Sequence, residues 1–499
     1  MPVARLALHC TAALALLLPP AAGAAVYTVT NTNDSGSGSL REAITAANAN
    51  DGFDEIHFAI PGSGVRTIAL STILPGINDP VLIDGYTQPG AGVNTAGVGT
   101  NARLLIELRP AATLTTSLHL LVGSGGSTIR GLVVNRFNGP QINVTAGGID
   151  CVITGNFIGT DPEGTSGYPG ASGTRSGITV AGDRCRVGGP ARADRNLISG
   201  LSSTGIYASG DDVVIQGNLV GTVANGGAAL GNFTGISVGS TGGPNHDVTV
   251  GGIPSGSLAP ANVVAGNRSH GIRVISGTGH RIEGNLIGLA AFPIGTIPNG
   301  GDGIRVDFGS LLTLGSAVDG GGNAIVGNEG AGIFVASQTG GGQSQGVFIV
   351  RNTIYGNGGL PIDLAPNFAT GVTPNDPLDA DDGPNSLQNF PVLGPVTYTS
   401  TETRIRGRLH SSAGDAFRID VYRVGTCDPS RHGGASSHLG VAGVITDEDG
   451  NAEFEVVVPS ILDSGFATAT ASRATDLATS EFSACLALGD RIFADGFDV

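Results

Sequence analysis

Residues 271–287 run Gly-Ile-Arg-Val-Ile-Ser-Gly-Thr-Gly-His-Arg-Ile-Glu-Gly-Asn-Leu-Ile, a chain of short apolar segments separated by glycine-rich bends. The first segment, Ile272-Arg-Val, has counterparts opening at Ile142, Ile178, Ile206, Ile236, Ile304 and Ile333. The second, centred on Ile282, recurs at Ile153, Val187, Ile215, Val250, Leu314 and Ile349. The third always opens on asparagine: Asn156, Asn196, Asn218, Asn262, Asn285, Asn323 and Asn352. Each segment alternates in-out-in over a few residues, the pattern of a half-buried strand and too short for a helix. A three-strand unit of about thirty residues cannot bury its apolar side alone, whereas stacked units make one continuous core. The pattern therefore predicts an all-β chain built on a right-handed, single-stranded parallel β-helix. Stacked in register, the asparagines would lie about 4.8 Å apart and satisfy backbone groups at a tight bend, a structural role for the whole column.

Outward from this repeat, less regular strands at Val81–Asp84, Leu104–Glu107, His119–Val122 and Ile129–Val134 extend the stack, giving a β-helix over residues 55–370. An open end exposes apolar core and unpaired strand edges. Ser39-Leu-Arg-Glu42 is a capping box, and Leu40, Ala43, Ile44 and Ala47 follow at helical spacing, so residues 26–54 are expected to supply a strand and a capping helix. After Asn352, the acidic stretch 371–391 is expected to be a linker. Residues 392–487 show the alternation of a small, immunoglobulin-like antiparallel β-sandwich, with Asp449-Gly450 turning a hairpin, and 488–499 form a tail. At the start, Arg5, the apolar run Leu6–Leu18 and the small residues before Ala25 make residues 1–25 a secretory signal peptide, cut on one side or the other of Ala25. Nothing later is long and apolar enough to span a bilayer.

Glycine supplies 83 of 499 residues and charged residues only 13%, which suits tightly turning β-structure. All 25 basic residues are arginine, and 41 acids leave a net charge of −16, a field that repels nucleic acid. The expectation is a monomer that requires no cofactor. Once Cys10 leaves with the signal, four cysteines remain. Cys427 and Cys485 are placed to bridge within the last domain; Cys151 and Cys185, on successive coils, are either bridged or stacked as buried thiols.

Asn31-Thr-Asn-Asp34 with Gly38-Ser-Leu-Arg-Glu-Ala-Ile44, Asp84-Gly-Tyr-Thr-Gln-Pro-Gly90, Leu387-Gln-Asn-Phe-Pro391 and Thr479-Ser-Glu-Phe-Ser-Ala-Cys485 together resemble a family of exported bacterial β-helix repeat proteins named for a Cys-Ser-Leu-Arg-Glu-Ala motif. Gly38 stands where that motif has its cysteine. The tail Arg491-Ile-Phe-Ala-Asp-Gly-Phe497 is similar to C-terminal tails on exported proteins of some Gram-negative bacteria. The resemblance covers nearly the whole mature chain. It implies an extracellular or cell-surface protein with a pectate-lyase-like fold and no assigned reaction.

Enzymes on this scaffold act mostly on acidic polysaccharides, so their chemistry is the alternative to binding. Asp211-Asp212, Ser269-His270-Gly271 and Arg281-Ile-Glu283 resemble polygalacturonase motifs. The first pair and His270 belong to rungs two apart, an axial offset of about 10 Å. Inverting hydrolysis needs two carboxyls about 6.5–9.5 Å apart around a water, and the acid upstream is missing. The outward column of the first strand, Asn143, Thr179, Tyr207, Ser237, Arg273, Arg305 and Phe334, holds no acidic cluster for Ca2+. Arg273 and Arg305, on neighbouring rungs, could grip a polyanion or pair with Asp302 and Asp307. Long insertions at Thr160–Ser176, Thr222–Thr234 and Leu289–Asp302 should emerge on one edge and could form a binding face. Asp376, Asp379, Asp381 and Asp382 have the oxygen density of a Ca2+ site. The leading expectation is an elongated binding or adhesive surface toward glycans or the cell envelope; the alternative is a lyase, hydrolase or epimerase acting on uronic-acid polymers.

Overall fold

The computed structural model describes residues 23–168, 175–240, 245–255, 260–291, 295–337 and 342–489, and the backbone of 492–493. Three long parallel sheets dominate it: sheet I with 11 strands, sheet II with 10 and sheet III with 9. Strand order within each sheet follows the chain without a reversal, so each coil lies on the one before it. Strands joined by such crossovers wind right-handed. The molecule is therefore a right-handed parallel β-helix, followed by a small antiparallel β-sandwich.

Register decides the core. In sheet III, Ile142, Ile178, Ile206, Ile236, Ile272, Ile304, Ile333 and Ile362 are direct neighbours, each at most 2% exposed. In sheet I the column runs Ile153, Val187, Ile215, Val250, Ile282, Leu314, Ile349. A slip of one residue would turn every one of these side chains to the outside. The residues Asn156 to Asn352 form a hydrogen-bonded column: each side-chain amide donates to the next asparagine's Oδ1, at 2.9–3.2 Å. A second column, Asn232, Asn267, Asn299, Asn328 and Asn357, lies one strand further round and is linked in the same way. Its signal was the Gly-Asn pair after the third strand at Gly266, Gly327 and Gly356.

The stack begins early. Val26–Val29 pairs in parallel with Asp54–Phe58, and helix α1, Leu40–Ala47, lies across the first coil. Ser39 Oγ accepts from Glu42 N and Glu42 accepts from Gly38 N, closing the N-terminal turn, while Leu40, Ala43, Ile44 and Ala47 enter the core. At the other end the sandwich is the lid. Tyr422, Ala435 and Phe482 join the core of the β-helix. Ile354 and Ala435 exchange backbone hydrogen bonds of 2.7 Å, Thr479 Oγ1 accepts from Ile349 N, and Glu481 accepts from Leu364 N and Thr373 N. Segment 371–391 packs rather than trails: Asn385 bonds to Ser344 and Val347, and Leu387 is in the core.

The sandwich pairs Thr403–His410 with Asn451–Val458 in one sheet and Ala416–Val424 with Ser437–Ile445 in the other. Asp449-Gly450 is thus a turn but not a hairpin: it carries the chain from one sheet to the facing one. A local turn motif records reversal, and the apolar faces decide which partner each strand takes. Cys427 and Cys485 are disulfide-bonded, while Cys151 and Cys185 are buried free thiols, the Cys151 N–H donating to Cys185 Sγ at 3.3 Å. Among the described residues no helix is long and apolar enough to cross a membrane.

Candidate functional site

The outward column of sheet III continues one rung beyond the repeat. Arg273, Arg305, Phe334 and Asp363 occupy successive register positions. Asp307, two residues after Arg305, accepts from Arg273 Nε at 2.6 Å and from Arg305 Nε at 2.7 Å. Asp302 Oδ2 lies 3.2 Å from both Arg305 Nη1 and His270 Nδ1, and Asp302 Oδ1 accepts from Ala331 N. The Arg305 guanidinium lies 4.5 Å from the Phe334 ring centre and 5.5 Å from that of Phe368. Arg305 is thereby fixed on all sides, with its ring and carboxylate partners holding one rotamer. His270, Asp302, Arg305, Phe334 and Phe368 border a cleft of about 660 Å³ where the last coil meets the sandwich, with Glu329, Asp363 and Asp428 also on its walls.

Two carboxyls in this cleft are driven apart. Burial would raise Asp302, but the His270 hydrogen bond and charge, the Ala331 N–H and Arg305 outweigh it and hold the carboxyl below its ordinary range. Asp363 is pushed up to about 6, chiefly by burial and further by the charge of Asp302, against one weak N–H from Gly371. Its Oδ1 is buried without a hydrogen-bond partner. Such a split is how neighbouring carboxyls come to hold different protonation states near neutral pH. Since Asp302 neutralises Arg305, Glu329 and Asp428 leave the cleft acidic.

The polygalacturonase-like residues do not converge. Asp211 and Asp212 turn the chain out of strand Ile206–Ala208, with Asp211 bonded to Asp183 and His246, whereas His270 leads into strand Ile272–Val274. They therefore flank opposite ends of sheet III. Arg281 pairs with Glu283 instead of facing a ligand. The insertions after the third strands do share an edge, but they fold down. Ala224 N bonds Gly164 O, Ala291 N bonds Gly226 O, and their alanines cover the outward side chains Phe157, Leu197, Leu219 and Val263 of sheet II. The described residues of these insertions thereby add a second apolar layer over sheet II, while 169–174 and 292–294 lie outside the described residues.

In segment 371–391, carboxylate oxygens of Asp376, Asp379 and Asp381 lie within 4.8 Å of one another. Asp379 accepts from Asn389 N and Ser411 Oγ, and Asp381 Oδ1 is buried with no partner. Burial, followed by the charges of Asp376 and Asp379, pushes Asp381 up to about 6. Asp382 stands apart, bonded to Gln343. Sequence reasoning missed Asp363 because Pro361-Ile-Asp-Leu departs from the Gly-Ile opening; carrying the register one rung on would have found it.

No protein-family model and no curated protein matches this sequence. Among solved structures, the chain is similar to the A-module of the mannuronan C-5 epimerase AlgE4 of Azotobacter vinelandii, at 12% identity and a TM-score of 0.36, covering 67% of this chain and 90% of that one. It is also similar to the periplasmic alginate epimerase AlgG, at 13% identity and 0.33 over 62% and 69%. Tailspike protein 2 of an Escherichia coli O157:H7 bacteriophage is similar at 11% identity and 0.29 over 93% and 64%. At these identities the likeness is one of fold.

Proposed function

We propose that this chain is an exported β-helix protein that binds a glycan in the cleft between its last coil and the sandwich. The observation that carries the reading is Arg305, held rigid by Asp302, Asp307 and Phe334 at the wall of that cleft. A fixed array of donors and acceptors beside an exposed ring, here Phe368, is the chemistry that recognises sugar hydroxyls and a sugar's apolar face. Charge selects among glycans: the acidic cleft and the net charge of −16 favour a neutral polymer over a uronic one. Affinity electrophoresis against neutral and uronic polysaccharides tests this, with retardation by a neutral polymer expected and at least about a tenfold loss of affinity in Arg305→Ala, worth about 1.4 kcal/mol. Equal binding by the variant, or no retardation by any glycan, defeats it.

A second reading, glycan cleavage, is favoured by Asp363, whose protonated form could serve as an acid opposite the ionised Asp302. Release of new reducing ends that stops in Asp363→Asn while binding persists would establish it. Apart from the cleft, the Asp376, Asp379 and Asp381 cluster is offered as a Ca2+ site, in which Asp381 Oδ1 gains a partner. Calorimetric titration should show saturable heat that disappears in Asp381→Asn, and a flat trace at millimolar Ca2+ removes the ion.

A further inference from the structure

A buried carboxylate with no cationic partner among the described residues lies at the opposite end. Asp54 opens the second strand of sheet I and is 0% exposed. Its Oδ1 accepts from Ala25 N and from Asn50 Nδ2, both at 2.8 Å. Its Oδ2 is buried and has no hydrogen-bond partner, and among the described residues no cationic side chain pairs with this carboxylate. The surroundings are acidic too: Asp79 is raised by burial and, against a hydrogen bond from Gly52, by the charges of Asp51 and Asp54. Burying a carboxylate without a counter-charge is costly, so a missing cation is the feature to explain.

The backbone atom already on Asp54 is the amide of Ala25, and Ala22-Gly-Ala24 immediately before it carries the small residues that an export peptidase requires at its cut. We propose that processing cuts the chain between Ala24 and Ala25 and that the α-ammonium so freed is the missing partner of Asp54. Water adds across the Ala24–Ala25 amide and the C–N bond breaks: Ala24 takes the water oxygen and leaves as a carboxylate with the signal, while the Ala25 nitrogen keeps its one hydrogen and takes both from the water, becoming an ammonium. Where the amide offers Asp54 one N–H, the ammonium offers three, enough for both oxygens. Its intrinsic pKa, about 7.7–8.0, is raised by a facing carboxylate, so the charge persists at neutral pH.

The pairing of the first strand selects this bond over the next one. Ala25 O accepts from Glu55 N at 2.8 Å, the opening hydrogen bond of the ladder between Val26–Val29 and Asp54–Phe58. A cut after Ala25 would delete that acceptor together with the one backbone N–H that, among the described residues, donates to the Asp54 carboxylate. The device couples export to folding: the first coil closes fully only once the leader is gone.

N-terminal sequencing of the exported chain should give Ala25 first; any other residue overturns the proposal. Two purified forms, one starting at Ala25 and one carrying Gly-Ser before it, should differ in melting temperature by several degrees, and Asp54→Asn should abolish the gap. A gap that survives Asp54→Asn overturns it. Should Asp54→Asn fail to fold, acylation of the α-amine decides: at pH 8 it should be at least tenfold slower in the folded wild type than in an Ala-Val peptide, and equal rates defeat the idea.

Discussion

Asn262 sits in the middle of the first asparagine column, and its amide answers to both neighbours. Its Oδ1 accepts from the side chain and the backbone N–H of Asn218, and its Nδ2 donates to Ile215 O and Asn285 Oδ1. Truncation strands buried groups on two coils at once, so Asn262→Ala should cost at least about 2 kcal/mol in denaturant unfolding. Asn357→Ala, at the end of the second column with Asn328 as its one column neighbour, should cost less. The seven-membered column was legible because every member occupies one place in the repeat and Asn suits both the bend and the ladder. Asp363 was hidden by a broken motif, and Asp54 by the ordinary look of an acid at a strand start. What marks them is a burial and a missing partner, properties that only the folded neighbours create.

Among elements, helix α1 is the one whose sequence announced its task most clearly. Its apolar face meets the first coil, and Leu40 is 0% exposed. Leu40→Ala should therefore cost about 2–5 kcal/mol, with added binding of a hydrophobic dye as the first coil opens. The insertions over sheet II emerge on one edge as their place in the repeat requires, and their small residues also pack on Phe157, Leu197 and Leu219, covering apolar outward positions. Loop length and position were legible in the repeat, whereas the packing of the loops on the face beneath them was not. The turn at Asp449-Gly450 makes the same point in the sandwich, since strand partners are chosen by the core and not by the bend between them.

On the scale of the whole molecule, the sandwich is tied to the β-helix by a buried acid. Burial lifts Glu481 from 4.5 to about 8, with the charge of Asp363 adding to it and the N–H groups of Leu364 and Thr373 opposing it. The native state thus keeps a proton that the unfolded chain has released above pH 4.5, so this contribution is complete below pH 4.5 and is lost as pH rises to about 8. Chemical denaturation across that window should show stability falling as pH rises, and Glu481→Gln should flatten the slope; an unchanged slope would place the linkage elsewhere. The β-helix as a whole was readable because its repeat makes every local preference agree with the global stack. The cleft was not, since it forms between residues around 270, 305, 363 and 428, which only the packing of the last coil against the sandwich brings together. One feature of the stack reaches beyond stability. Because coils follow one another in simple order between two dedicated lids, duplicating a single coil in the gene would lengthen the rod by about 4.8 Å while leaving both termini intact. Copy number could then serve as a heritable ruler, setting the distance between the two lids.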